Sequence, residues 1–179
     1  NIAANPAYTS GIVKTTDGAA IVLGGASPTF TYFGTILNQP ATGGALGYIT
    51  QIAGVSNATV SISGPGDTPL VGQGDGVFIN NVIGPTTVDM IGLELTGEGS
   101  TGILVQNSTN DPEFTFINTI IGGATGPTAQ GILLSGNSAN TITEFNNLDM
   151  ALPSTTATGL RAVNAGVVLA TGANTLSTA

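Results

Sequence analysis

The chain has 179 residues and a formal net charge of −8, with ten acidic residues, two basic residues and no His. This charge repels the phosphates of nucleic acids and the anionic surfaces of membranes, so neither is an expected partner. Only 7% of the residues are charged while 41% are hydrophobic, which excludes a disordered chain. Disulfides are excluded because Cys is absent, and no apolar run approaches the ~18 residues that span a bilayer.

A Gly followed by apolar residues recurs along the chain every 26 to 29 residues. It stands at Gly18, Gly47, Gly76, Gly102, Gly131 and Gly159. Gly, Thr, Asn and β-branched residues dominate these units, which favours short strands and tight corners over helices. The sequence therefore predicts an all-β fold, a right-handed parallel β-helix (a β-solenoid) of about six coils, over residues 18–179. Residues 1–17 are predicted to be an N-terminal arm, an edge strand or a cap.

Inside each unit, polar and apolar residues alternate with the period of two that half-buried strands show. The position 14 residues after the Gly is mostly large and apolar, with a slip of one residue in the second unit. The residues at this position are Tyr32, Ser61, Met90, Phe116, Phe145 and Ala173. In the second unit Val60 and Ile62 carry the apolar phase, and the last unit fits only loosely. Two positions later every unit has a small residue or Asn, including Gly92, Asn118 and Asn147, which suits a corner with positive φ.

These coils, rich in Gly, Asn and Thr and poor in charge, also contain the motifs Gly-Gly-Ala-Leu at 43–46 and Phe-Ile-Asn-Asn at 78–81. In style the chain resembles the passenger domains of Gram-negative autotransporters and the filamentous-haemagglutinin-type exoproteins. The two motifs are similar to the GGA-aliphatic and FxxN repeats of polymorphic outer-membrane proteins. The resemblance implies surface display and adhesion or assembly, and it identifies no ligand or functional residue.

Two acidic residues are the candidate catalytic pair. Asp89 and Glu144 both stand 13 residues after their Gly, two coils apart, which predicts a separation of about 10 Å. An inverting glycosidase places its two carboxyl groups ~6.5–9.5 Å apart. The alternative interpretation is that both are solvated acids on the outer face. We predict the latter, with no catalytic residue, and keep polysaccharide cleavage as the one enzymatic alternative.

Calcium is the one cofactor that the acidic loops suggest. Asp67, Asp75, Asp111 and Glu113 lie in Gly- and Pro-rich turns, which offer oxygen ligands. No EF-hand or nonapeptide pattern is present, and turn formation explains the same residues. We therefore predict no cofactor and no metal site.

A column of apolar residues two positions after the Gly is the candidate interface. Its members are Ala20, Ile49, Phe78, Leu104 and Leu133, followed by Arg161. If the residues on either side point inward, this column forms an outer stripe that needs cover. If the phase is off by one residue, the same residues belong to the core.

The predicted function follows from the ends of the solenoid. The last unit shows no amphipathic helix or charged blocker that would cap a coil, so we expect either a continuing chain or stacking on other copies. We predict an extracellular or cell-surface, self-assembling structural protein, such as a filament, sheath or surface-layer subunit, whose copies associate head-to-tail or laterally. The alternative is an adhesin or carbohydrate-binding passenger domain whose loops 65–73 and 107–113 contact glycans.

Overall fold

The computed structural model describes residues 7–8, 11–14, 18–38, 50–63, 70–72, 76–95, 101–122, 129–153 and 157–178. Regular structure in these ranges consists of β-strands, and each strand pairs in parallel with the equivalent strand of the next coil. The strands stack as a β-solenoid with three faces, which confirms the predicted fold class.

Face 1 is a six-stranded sheet. Its strands are β3 (Ile21–Ala26), β6 (Thr50–Ser56), β9 (Val77–Asn80), β12 (Thr101–Gln106), β14 (Gln130–Ser135) and β16 (Thr158–Val163). Four of them have a neighbour on each side, whereas β3 and β16 lie at the two edges. The solenoid has about four turns, so the predicted count of about six coils, which includes both edge coils, is slightly too high.

Faces 2 and 3 belong to one larger sheet, because two long strands continue around the corner between them. The strands of face 2 are β1 (Ala7–Tyr8), β4 (Thr29–Phe33), β7 (Thr59–Ser63), β10 (Thr87–Ile91), the first half of β13 (Glu113–Gly122), the first half of β15 (Ile142–Leu152) and β17 (Val167–Thr171). The strands of face 3 are β2 (Ile12–Lys14), β5 (Ile36–Asn38), β8 (Leu70–Gly72), β11 (Leu93–Leu95), the second halves of β13 and β15, and β18 (Thr175–Thr178).

The segment 1–17 contains β1 and β2, which pair with β4 and β5 and so extend faces 2 and 3 by one rung. This is the arrangement of an edge strand, one of the three alternatives for this segment. The boundary between an arm at 1–17 and a solenoid domain at 18–179 stays a prediction.

The core is built from stacked columns of inward-facing side chains. The column predicted 14 residues after each Gly is aligned residue for residue, and it includes the slip to Ile62 in the second coil. In the last coil its member is Ala170, three residues earlier than the position that constant spacing gives. The rings of Phe116 and Phe145 lie 5.3 Å apart between centroids, with an angle of 14° between their planes. Stacking of this kind adds about 0.5–1.5 kcal/mol to the area that the rings bury.

Left-handed residues make the corners. Between faces 2 and 3, the predicted residues Gly92, Asn118 and Asn147 have φ values of 79°, 51° and 58°. Asn147 Nδ2 donates to Asn118 Oδ1 at 3.0 Å, so the amides also connect one coil to the next. A second, unpredicted column of left-handed residues turns the chain from face 1 to face 2. Its members are Ser27, Asn57, Asn81, Asn107, Gly136 and Asn164. Asn suits both tasks because its short amide tolerates positive φ and forms ladders of hydrogen bonds.

Replacing Thr143 with Val is expected to raise the free energy of unfolding by about 1 kcal/mol, because a buried hydroxyl without a partner destabilises the fold. Thr143 is fully buried between Phe114 and Val168, and its Oγ1 has no hydrogen-bond partner. Thr141 is equally buried, but its Oγ1 donates to the Ser108 carbonyl at 3.2 Å, so Thr141→Val should lower stability by a similar amount. Urea unfolding followed by circular dichroism measures both variants, and a Thr143→Val protein less stable than the parent would contradict the assignment.

Candidate functional site

Three residues of the predicted stripe form consecutive rungs of one column on face 1. Phe78 pairs with Leu104, and Leu104 pairs with Leu133. Each is half-buried and stands between fully buried neighbours on its own strand, so the column lies on the outer surface. Arg161 follows Leu133 as the exposed last rung.

The first two predicted members of the stripe need correction. Val22 and Gln51 occupy the column, whereas Ala20 precedes β3 and Ile49 lies outside the described residues. In the first two coils the column lies four residues after the Gly instead of two. A shift of two residues keeps a side chain on the same face of the sheet but moves it along the strand, out of the column.

The candidate catalytic pair lies on the outer surface of face 2. Asp89, Thr115 and Glu144 are successive rungs of one column, each partly exposed. Thr171 Oγ1 of the last coil donates to Glu144 Oε1 at 2.6 Å, which holds that carboxylate against the last coil. The two acids are therefore placed two coils apart, as the repeat predicts. Both acids lie on the outer surface of a sheet, where Thr115 separates them and Thr171 contacts Glu144.

Metal ligands are not gathered in the part of the chain that the structure describes. No group of three or more His, Cys, Asp or Glu side chains there is arranged to hold a metal ion. Of the loop acids that suggested calcium, Asp111 and Glu113 are exposed, and Asp67 and Asp75 lie outside the described residues.

The corner between faces 1 and 2 is enlarged in three adjacent coils. It spans two residues at 27–28 and 57–58, but six residues at 81–86, 107–112 and 136–141. We call these three longer segments the corner ridge. It includes most of the loop 107–113 that the sequence suggested as a ligand surface. The loop 65–73 is described only at 70–72.

Buried polar contacts hold the corner ridge in place. Asn137 Oδ1 accepts from the Ser108 backbone N–H at 3.0 Å, and its Nδ2 donates to the Val105 carbonyl at 3.1 Å. Thr141 Oγ1 donates to the Ser108 carbonyl of the preceding coil. The exposed outer residues include Thr109, Asn110 and Asn140. The ridge is thus a rigid support for polar side chains that point to solvent.

The last coil leaves a continuous apolar surface open. We call this surface the terminal face: Leu160, Ala162, Val168, Ala170 and Leu176. These residues continue the inward-facing columns of Ile132, Leu134, Thr143, Phe145 and Met150. Leu160 is 44% exposed and Leu176 is 65% exposed, whereas the five residues beneath are buried. Five of the ten exposed large hydrophobic side chains in the described residues lie in this one coil. Leu160 and Leu176 belong to the terminal face, whereas Val163, Val167 and Leu169 continue columns of the outer surface.

The opposite end of the core is closed. Ile21 is 7% exposed, Tyr32 2% and Ile36 1%. The Tyr32 hydroxyl donates to the Thr35 carbonyl at 2.7 Å, and desolvation raises the pKa of Tyr32 above its ordinary value. The sequence offered a cap at 1–17 as one of three alternatives and no capping feature in the last unit, but it did not predict which core side chains are covered, because burial at an end depends on how the coils pack.

Comparison with known proteins finds no matching family model, no matching curated protein and no matching solved structure. The fold by itself places the chain in the class of parallel β-solenoid proteins. Within the described ranges, no helix has the length and apolar character needed to cross a membrane.

Proposed function

We propose that this chain is a rigid structural rod that acts outside the cell by associating with further copies of itself. The observation that carries the proposal is the stack of parallel strands over buried side-chain columns, which makes a stiff solenoid. The surface of the 179-residue chain on which association can be tested is the terminal face, where exposed apolar side chains adjoin the edges of β16, β17 and β18. Exposed edges and apolar patches of this kind promote association. The extracellular location rests on the resemblance of the repeats to exoproteins.

The charge distribution favours contact at this coil. The chain as a whole carries a net charge of −8, which opposes association through most of its surface. Arg161 is the one charged residue between 157 and 178. Two copies that meet at the last coil therefore avoid most of the repulsion between acidic surfaces, and salt should change their affinity little.

The first test is sedimentation velocity of the 179-residue chain over a wide concentration range. We expect the sedimentation coefficient to rise with concentration, and we expect Leu176→Lys to abolish that rise, because a charge cannot be buried in an apolar interface without a partner. Ile120→Lys is the matched control, since Ile120 is 47% exposed on the outer surface of face 3 and should not affect association. A parent chain that remains monomeric at every concentration would refute the proposal.

An adhesin is the second candidate, and the corner ridge favours it. Three stacked loops with exposed Thr, Asn and Asp side chains present hydrogen-bonding groups at the regular rung spacing of about 4.8 Å. A polar, rigid surface of this type suits a glycan. Binding of the monomeric chain on a glycan array, lost when Asn110 and Asn140 are replaced by Ala, would support this function over the structural one.

A further inference from the structure

Two adjacent residues of the corner ridge have an unusual backbone conformation. Asn110 and Asp111 have φ values of 63° and 64°, both in the left-handed region. Asn and Asp tolerate this region as single residues, and every other positive φ among the described residues stands alone in the sequence. Asp111 also precedes Pro112, and a residue before Pro normally keeps an extended conformation with φ of about −120°. The pair is therefore a strained segment of the backbone.

The neighbouring coils hold this strained pair at both ends. The Thr109 N–H donates to the Val82 carbonyl of the preceding coil at 2.8 Å. The Pro112 carbonyl accepts from the Ile142 N–H of the following coil at 2.9 Å. Pro112 is buried, whereas the pair between these two anchors is exposed. The pair cannot relax to an ordinary φ unless backbone hydrogen bonds break, and retained strain of this kind is typical of functional sites.

The peptide bond that follows the pair is the one Asp–Pro bond of the chain. An Asp side chain can attack its own backbone carbonyl carbon, because the ring that closes is a five-membered cyclic anhydride. The nitrogen of Pro is a good leaving group in this reaction, since it carries no N–H in the chain and leaves as a basic secondary amine. The strained segment thus coincides with the bond of the chain that is chemically easiest to cleave.

We propose that Asp111 cleaves the chain at its own bond to Pro112, a self-processing activity that goes beyond the structural role. An Oδ atom of the protonated Asp111 side chain attacks the Asp111 carbonyl carbon and forms the anhydride. The bond to the Pro112 nitrogen breaks, and this nitrogen keeps the electron pair and takes the carboxyl proton. Water then opens the anhydride, which restores the side-chain carboxyl group beside a new C-terminal one. The net reaction is hydrolysis, and cleavage releases the strain because Asp111 is no longer tied to the anchored Pro112.

The two products are expected to remain together in one solenoid. The cleaved bond lies between β12 and β13 of the same coil. β12 stays paired with β14, and β13 stays paired with β10 and β11, so three ladders connect the part before the break to the part after it. Cleavage therefore converts one chain into two without loss of the stacked coils.

Mass spectrometry of the purified 179-residue chain during incubation at mildly acidic pH tests this activity. We expect products that span 1–111 and 112–179, with masses that add up to the parent mass plus one water. In native gel filtration they should elute together, at the position of the intact chain. Asp111→Asn keeps the tolerance for positive φ but lacks the carboxyl group, so it should lose both products. Glu113→Gln removes an exposed acid two residues away and should be cleaved like the parent.

The same incubation of the urea-unfolded chain separates the strained geometry from the ordinary acid lability of an Asp–Pro bond. If the transition state releases the strain, the folded chain should be cleaved faster than the unfolded chain by a factor of about ten or more. Cleavage that is equal or slower in the folded chain would overturn the proposal. A folded chain that stays intact, or products that persist in Asp111→Asn, would do the same.

Discussion

Replacing Phe116 with Ala is expected to lower the free energy of unfolding by about 3–5 kcal/mol, as large-to-small changes of buried aromatic residues do. Phe116 is 1% exposed, lies between Met90 and Phe145 in its column, and stacks on the Phe145 ring. The backbone ladders above and below hold the coils at a constant spacing, so the structure has little freedom to collapse into the cavity. The loss should therefore lie near the upper part of this range.

Urea unfolding, followed by the far-ultraviolet circular dichroism of the β-sheets, measures the change in the free energy of unfolding. Phe33→Ala is the matched control, because Phe33 is also on face 2 but is 45% exposed, and its replacement should change stability by roughly 0.5 kcal/mol or less. Phe116→Leu, which keeps much of the volume, should cost roughly 1.5 kcal/mol or less. Equal effects of Phe116→Ala and Phe33→Ala would contradict the stacked core.

Replacing Gly122 with Ala is expected to cost about 3 kcal/mol or more, the combined effect of backbone strain and overlap. Gly122 has a φ of 104°, a conformation that residues with a Cβ rarely adopt. A Cβ at this position would also overlap the carbonyl oxygen of Ala151 in the neighbouring strand, and a backbone atom cannot move aside as a flexible side chain can. The pairing of β13 with β15 would have to open locally.

Gly25→Ala isolates the backbone strain from the overlap. Gly25 has a similar φ of 95°, but a Cβ there meets no heavy atom within 4 Å. Its replacement should therefore cost only the backbone strain, about 1–3 kcal/mol. Thermal unfolding of the two variants side by side measures the difference. If Gly25→Ala were as destabilising as Gly122→Ala, the close approach of Gly122 to β15 would not be the cause.

Most of the core could be predicted from the sequence because a solenoid repeats one rule. Each inward position lies above the equivalent position of the preceding coil, so the column of Met90, Phe116 and Phe145 follows from spacing alone. The same rule placed Asp89 and Glu144 in one outer column. The spacing rule does not place the outer column in the first two coils, where Val22 and Gln51 occupy it, since pairing and not the Gly sets the register.

The corner ridge was harder to predict from the sequence than the core columns. The corner ridge depends on four additional residues at each of three corners, and the signal that would have revealed it is the longer distance between the left-handed Asn or Gly and the following strand. The buried role of Asn137 has no signal of this kind, because its amide satisfies backbone groups of a coil that is distant in sequence.

The amino-acid sequence alone determined the class of fold, the approximate coil length, the composition of the core columns and one of the two asparagine corners, because these depend on local periodicity and on φ preferences of single residues. Only the tertiary structure decided the strand register of the first two coils, the enlargement of the corner and which core side chains are covered in the first and last coils. These features depend on which strands lie next to each other and on what remains uncovered once they pair, and burial is a property of the packed coils that no single repeat contains.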